Sequence, residues 1–165
     1  MKGCACCVLV LVLISLAYAD DGIQGKITAI DATGGTIEVS GVKVIAKRAV
    51  IENLADMKCT LADLKVGDSV DVDGTLTGAG EMTAREIDQE HAVVDQIEGR
   101  LASRDNAART LTVSGVTVKV PATALVEDTH DRPITLEGLT PGSRIDCEGT
   151  WTGPRELTAT RVEAD

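Results

Sequence analysis

Residues 69–74 read Ser69-Val70-Asp71-Val72-Asp73-Gly74, and Ile145-Asp146-Cys147-Glu148 repeats the pattern seventy-five positions later. Apolar side chains alternate with carboxylates in both. An extended strand sends successive side chains to opposite faces, so each stretch reads as a β-strand with one buried and one acidic face. The same letters are a near miss to a calcium loop. Such a loop needs carboxylates at its first and twelfth positions, where this chain has Ser69 and Gly80. The acidic strand is the reading the alternation favours.

Working outward, the chain is a duplication. A shift of 74 matches Ile23, Gly25, Asp31, Thr36, Val39, Ser40, Gly41, Val42 and Val44 to Ile97, Gly99, Asp105, Thr110, Val113, Ser114, Gly115, Val116 and Val118. One inserted residue near Pro121 changes the shift to 75. Leu61, Leu64, Gly67, Asp71, Gly74 and Thr75 then meet Leu136, Leu139, Gly142, Asp146, Gly149 and Thr150. Ser40-Gly41 and Ser114-Gly115 sit between β-branched runs and predict tight hairpins. Strands are expected near 22–30, 35–40, 42–46, 50–53, 68–77 and 81–87, and again in the second copy. Thr60-Leu61-Ala62-Asp63-Leu64 is the one helical candidate, with Thr60 as cap and Gly67 as stop. Many short strands without a long helix favour an all-β fold of two tandem small barrels, OB-like, with five or six short strands each. A sandwich is the alternative.

Residues 1–19 differ from the rest. Lys2 precedes the apolar run VLVLVLISL at 8–16, and Ala17-Tyr18-Ala19 ends it. A charged start, a short apolar core and an A-x-A site describe a cleavable signal peptide, and the run is too short to span a bilayer. The expected organisation is a signal peptide at 1–19, a first repeat at 20–90 and a second at 91–165. The protein is expected to be exported, periplasmic or extracellular, with no stable membrane insertion after cleavage. Because 1–19 holds one cation and no carboxylate, the formal charge of −10 becomes −11 on cleavage.

Each unit resembles the secreted bacterial family known as domain of unknown function 5666. The resemblance rests on Gly25-Lys26-Ile27-Thr28-Ala29-Ile30-Asp31, on Thr36-Ile37-Glu38-Val39-Ser40-Gly41-Val42-Lys43-Val44, and on the run from Leu61 through Lys65, Gly67 and Asp68 to Gly74. Leu157-Thr158-Ala159 closes the pattern in the second unit, which departs from it at Glu137-Gly138, Pro141 and Ser143. The resemblance implies export and a small-barrel fold. It implies no activity.

Charge and composition argue against several functions. Single-stranded nucleic acid is held by a basic groove with stacking aromatics. This chain is acidic, and Trp151 is its one aromatic after Tyr18, so no nucleic-acid partner is expected. Trp151 aligns with Leu76 and is expected in the core of the second unit, its N–H partnered; an exposed anchor for a protein partner is the other reading. Cys59 and Cys147 align with Ile134 and Val72, both apolar slots, and read as core thiols; a bridge between the units is the alternative. Met82 aligns with Leu157 and reads as core rather than as a copper ligand. Asp128-Thr129-His130-Asp131 reads as a solvated loop, and His91 has no partner in sequence. No nucleophile, zinc or phosphate-loop motif is present, so no enzyme activity and no cofactor are expected.

The expected function is therefore an exported, non-enzymatic binding or assembly module for an unknown protein or envelope polymer, with strand addition as its route and self-association through strand edges. The alternative is a calcium-type metal module using Asp71, Asp73, Asp68 and Glu81 near one strand end.

Overall fold

The computed structural model describes residues 21–77 and 79–164. The signal-peptide segment lies outside the described residues.

Each repeat forms six strands, close to the positions the alternation predicts. In the first they are β1 (Asp21–Asp31), β2 (Thr36–Val39), β3 (Val42–Ile45), β4 (Val50–Glu52), β5 (Ser69–Leu76) and β6 (Glu81–Glu90). In the second they are β7 (Asp95–Asp105), β8 (Thr110–Val113), β9 (Val116–Lys119), β10 (Leu125–Asp128), β11 (Arg144–Gly153) and β12 (Glu156–Ala164). Buried and exposed positions fall at the same places along β1 and β7. Alternation sets that pattern: Val70 and Val72, or Ile145 and Cys147, turn inward with almost no exposure.

All twelve strands belong to one hydrogen-bonded sheet. β1 pairs antiparallel with β2, β5 and, across the repeats, β7. β5 also pairs β6, β6 pairs β3 and β4 in parallel, and β2 pairs β3. The second repeat copies this, with β11 between β7 and β12. The all-β class holds, but the two tandem OB-like barrels are corrected: the chain winds as a β-solenoid of about three turns, with the sheet continuing from one repeat into the other through β1 and β7. The reason is physical. Period-2 patterning fixes which face of a strand is buried, and says nothing about which strand lies at its edge.

The helical candidate is corrected too. Residues 61–63 form a turn, because five residues gain too few hydrogen bonds to offset helix nucleation. Asp63 is the capping group, its carboxylate accepting the Thr60 N–H at 2.9 Å and the Thr60 hydroxyl at 2.7 Å. Leu61 and Leu64 are still buried. The matching stretch, Leu136–Gly138, is a single 3-10 turn.

The seam between repeats has a simple geometry. Gly22, Ile23 and Gln24 face Glu98, Ile97 and Gln96. Ile23 and Ile97 are equivalent residues of the two repeats, and both are fully buried. Trp151 is half-buried at this seam rather than enclosed in its own repeat, and its indole N–H donates to the Gln24 carbonyl at 2.9 Å. It lies so close to Gly25 that a Cβ there would come within 2.9 Å of the indole nitrogen. Arg155 adds a third tie, its N–H donating to the Ser40 carbonyl at 2.9 Å and its guanidinium to the Ala79 carbonyl at 3.0 Å.

Candidate functional site

The continuous run β4-β6-β5-β1-β7-β11-β12-β10 carries the polar side chains of these strands in two cross-strand rows. One row is Glu52, Asp88, Asp71, Gln24, Gln96, Glu148 and Arg161. The other is Glu86, Asp73, Gly22, Glu98, Asp146, Glu163 and Glu127. Strands lie about 4.8 Å apart, so the rows bring carboxylates of both repeats onto one extended face. Directly opposed like charges destabilise a sheet, and Asp71 stands opposite Asp88, Asp73 opposite Glu86, Asp146 opposite both Glu98 and Glu163.

The two halves handle that repulsion differently. In the second repeat Arg161 reaches Glu127 and Glu163 at 2.6 Å each, Glu148 at 3.5 Å and Asp131 at 3.7 Å. Glu127 is only 5% exposed; a buried carboxylate needs such a partner. The equivalent slot in the first repeat holds Glu86. There Arg85 reaches Asp73 at 3.6 Å, and Gln24 donates to Asp71 at 2.8 Å. Burial, with Glu86, Glu52, Asp71 and Asp73 around it, pushes the Asp88 carboxyl up to about 6. Burial and then Asp73 raise Asp71 as well, against the pull of the Gln24 bond. Near the seam, burial first and then Glu98, Glu148 and Glu163 push Asp146 up to about 6, although Gln96 bonds it. Arg144 bridges the repeats here, 2.7 Å from Glu98 and 3.3 Å from Asp21.

A family model described as a domain of unknown function (DUF5666) matches twice, over residues 24–88 and 98–163. The chain belongs to the DUF5666 family. Its two matched segments coincide with the two structural repeats, as the internal duplication requires. No curated protein matches the chain.

Within this DUF5666 pair the proposed metal quartet is not assembled. Asp71 and Asp73 lie side by side on the acidic face, but Asp68 and Glu81 sit at opposite ends of the β5–β6 ladder, which pairs Ser69 with Glu90 and Leu76 with Met82. Asp68 accepts the Lys65 N–H at 2.8 Å and the Gln89 amide at 2.9 Å. Glu81 pairs with Lys43 at 2.9 Å. Among the described residues no group of three or more His, Cys, Asp or Glu side chains is placed to hold a metal ion. The 128–131 segment is a turn in which Asp128 accepts the His130 N–H at 2.9 Å and takes Arg132 at 2.6 Å. Arg132 holds the Asp128 carboxyl down at about 2. Cys59 and Cys147 are both free thiols, with Cys147 buried and burial raising its pKa. Met82 is fully buried, the core position that its alignment gave it.

Sequence reasoning about the DUF5666 face placed Asp71 and Asp73 on an acidic strand face. It also placed Asp146 and Glu148 on an acidic strand face, and missed Glu86, Asp88 and Arg161. One signal was available: the repeat alignment that pairs Leu61 with Leu136 also pairs Glu86 with Arg161, a charge reversal between copies.

Proposed function

We propose that this DUF5666 protein is an exported, non-enzymatic binding or assembly module that takes a cationic surface of another envelope protein or polymer on its carboxylate face. The observation that carries this reading is the pair of cross-strand rows that places carboxylates of both repeats on one face, on either side of Gly22, Gln24 and Gln96 at the seam. Opposed carboxylates cost the folded state energy, and a cationic partner relieves that cost on binding. The first repeat carries Glu86 where the second has Arg161, so Glu86 and its neighbours Asp73 and Asp88 form the preferred contact. The net charge of −10 steers a basic partner toward the protein. A calcium-type module is the weaker reading, since Asp68 and Glu81 lie at opposite ends of the β5–β6 ladder.

The test is binding of a lysine-rich peptide to residues 20–165, followed in low and high salt. Affinity falls as salt rises, because exposed charges are screened beyond about 10 Å at 0.1 M, and Glu86→Arg weakens it at least tenfold. Unchanged affinity in Glu86→Arg would overturn the proposal. Tight calcium binding by the same protein, abolished by neutralising Asp71 and Asp73 together, would favour the alternative.

A further inference from the structure

The seam is a two-fold interface built within one chain. The pairs Gly22–Glu98, Ile23–Ile97 and Gln24–Gln96 are mutually reciprocal: the shift of 74 residues turns 22, 23 and 24 into 96, 97 and 98. A local two-fold axis therefore passes through the Ile23–Ile97 pair. Self-complementary contacts of this kind are what two-fold homodimers use. β1 and β7 share one burial pattern, so each presents the same strand surface to the other.

The joint between the repeats is short. β6 ends at Glu90 and β7 begins at Asp95. Between them the sheet places β5 and β1, a distance of three strand spacings, about 14 Å along the sheet. Five peptide steps reach about 17 Å when fully extended. The joint thus has little slack, and its Val94 is exposed. Short, strained hinges between paired units favour exchange between chains.

From this reciprocity and this taut joint we infer that the seam is also a docking surface for a second copy of the chain, the first repeat of one copy pairing with the second repeat of the other. Exchange preserves the Ile23–Ile97 pairing, the Trp151–Gln24 bond, the Arg144–Asp21 contact and the Arg155 ties. Only residues 91–94 change path. The inference does not depend on the carboxylate face having a partner.

A cross-link distinguishes exchange from any other association. Gln24 and Gln96 are directly opposed, and opposed antiparallel residues lie about 4.5–5.5 Å apart at Cα, within disulfide range. The chain without residues 1–19, and so without Cys4, Cys6 and Cys7, would carry Gln24→Cys and Gln96→Cys, with Cys59→Ile and Cys147→Val borrowed from the other repeat's slots. Refolded dilute, it closes the disulfide within one chain and keeps the mass of one chain. Refolded concentrated, a fraction carries two chains joined by those disulfides. Deleting residues 92–94 leaves about 7 Å of reach, so this variant shifts wholly to the two-chain form. The inference is overturned if the concentrated full-length chain yields only intrachain disulfides, or if the shortened chain stays a single cross-linked chain. Should the shortened chain not fold, the full-length comparison decides alone.

Discussion

Glu86 and Arg161 occupy equivalent places in the two repeats, on the same face of the sheet, and carry opposite charge. Arg161 gathers Glu127, Glu148, Glu163 and Asp131. Glu86 joins Asp73, across the ladder from it, in raising the Asp88 carboxyl. One fold therefore contains the same acidic neighbourhood with a cation at its centre in one repeat and a carboxylate at that place in the other.

Exchanging those residues predicts opposite effects. Glu86→Arg supplies a cation among Asp73, Asp88 and Glu52 and raises stability by up to about 1 kcal/mol, the range of partly exposed pairs. Arg161→Glu leaves Glu127 buried without its partner and costs about 3 kcal/mol. Denaturant melts of both variants against the parent check the pair. Equal melts would show that Arg161 holds nothing together.

The raised carboxyls set the pH dependence. Asp88 and Asp146 hold protons in the folded state up to about pH 6, whereas the unfolded chain releases them near 4. Between those values the folded state binds more protons, so stability falls as pH rises from 4 to 6. The loss is on the order of 1 kcal/mol for each group, reduced by solvent at their partly open sites. Asp128 works the other way: held at about 2, it adds stability above pH 4 that is lost as pH falls toward 2. A melting temperature that peaks near pH 4–5, and flattens on the alkaline side in Asp88→Asn, is the expected profile. A steady rise from pH 4 to 7 would refute it.

Trp151 reports on the seam, being the only tryptophan in the chain. Because the ladder runs through both repeats, they unfold together, and tryptophan fluorescence and far-ultraviolet circular dichroism trace one transition. Trp151→Leu, which installs the side chain of the equivalent Leu76, loses the bond to the Gln24 carbonyl and leaves space beside Gly25. The cost is about 2–4 kcal/mol. Two separated transitions in the parent would mean that the repeats fold independently.

Gly41 tests how closely the hairpins meet. It has φ of +85°, and an added Cβ would lie 2.5 Å from Pro154 Cα in the other repeat. Gly67 has φ of +97° with open space around it. Gly41→Ala therefore costs more than Gly67→Ala, which bears only the backbone penalty of roughly 1 kcal/mol. Comparable losses would argue against the Gly41–Pro154 contact.

The strands were legible because Val70, Val72, Ile145 and Cys147 alternate with carboxylates, and alternation is a local property. The duplication was legible from Ile23 and Ile97 or Leu61 and Leu136. The architecture was not: the pairing of Gln24 with Gln96 joins residues far apart in sequence, and no local pattern encodes it. The candidate site was half legible for the same reason. Asp71 and Asp73, and Asp146 and Glu148, announce an acidic face within one strand each, while Asp88, Glu86 and the Arg161 cluster arise only once other strands lie alongside. Trp151 was legible in part: it packs against the core with its N–H partnered, but strand parity gives its face and not that it reaches Gln24 in the other repeat.

The position of β1 also dictates an order of events as the polypeptide is made. Gly22, Ile23 and Gln24 find β5 on one side within their own repeat, but the other side waits for residues 96–98. Until those emerge, a nascent first repeat carries a bare, self-complementary edge at its oldest residues. Two chains folding side by side would offer each other that edge before either had paired its own.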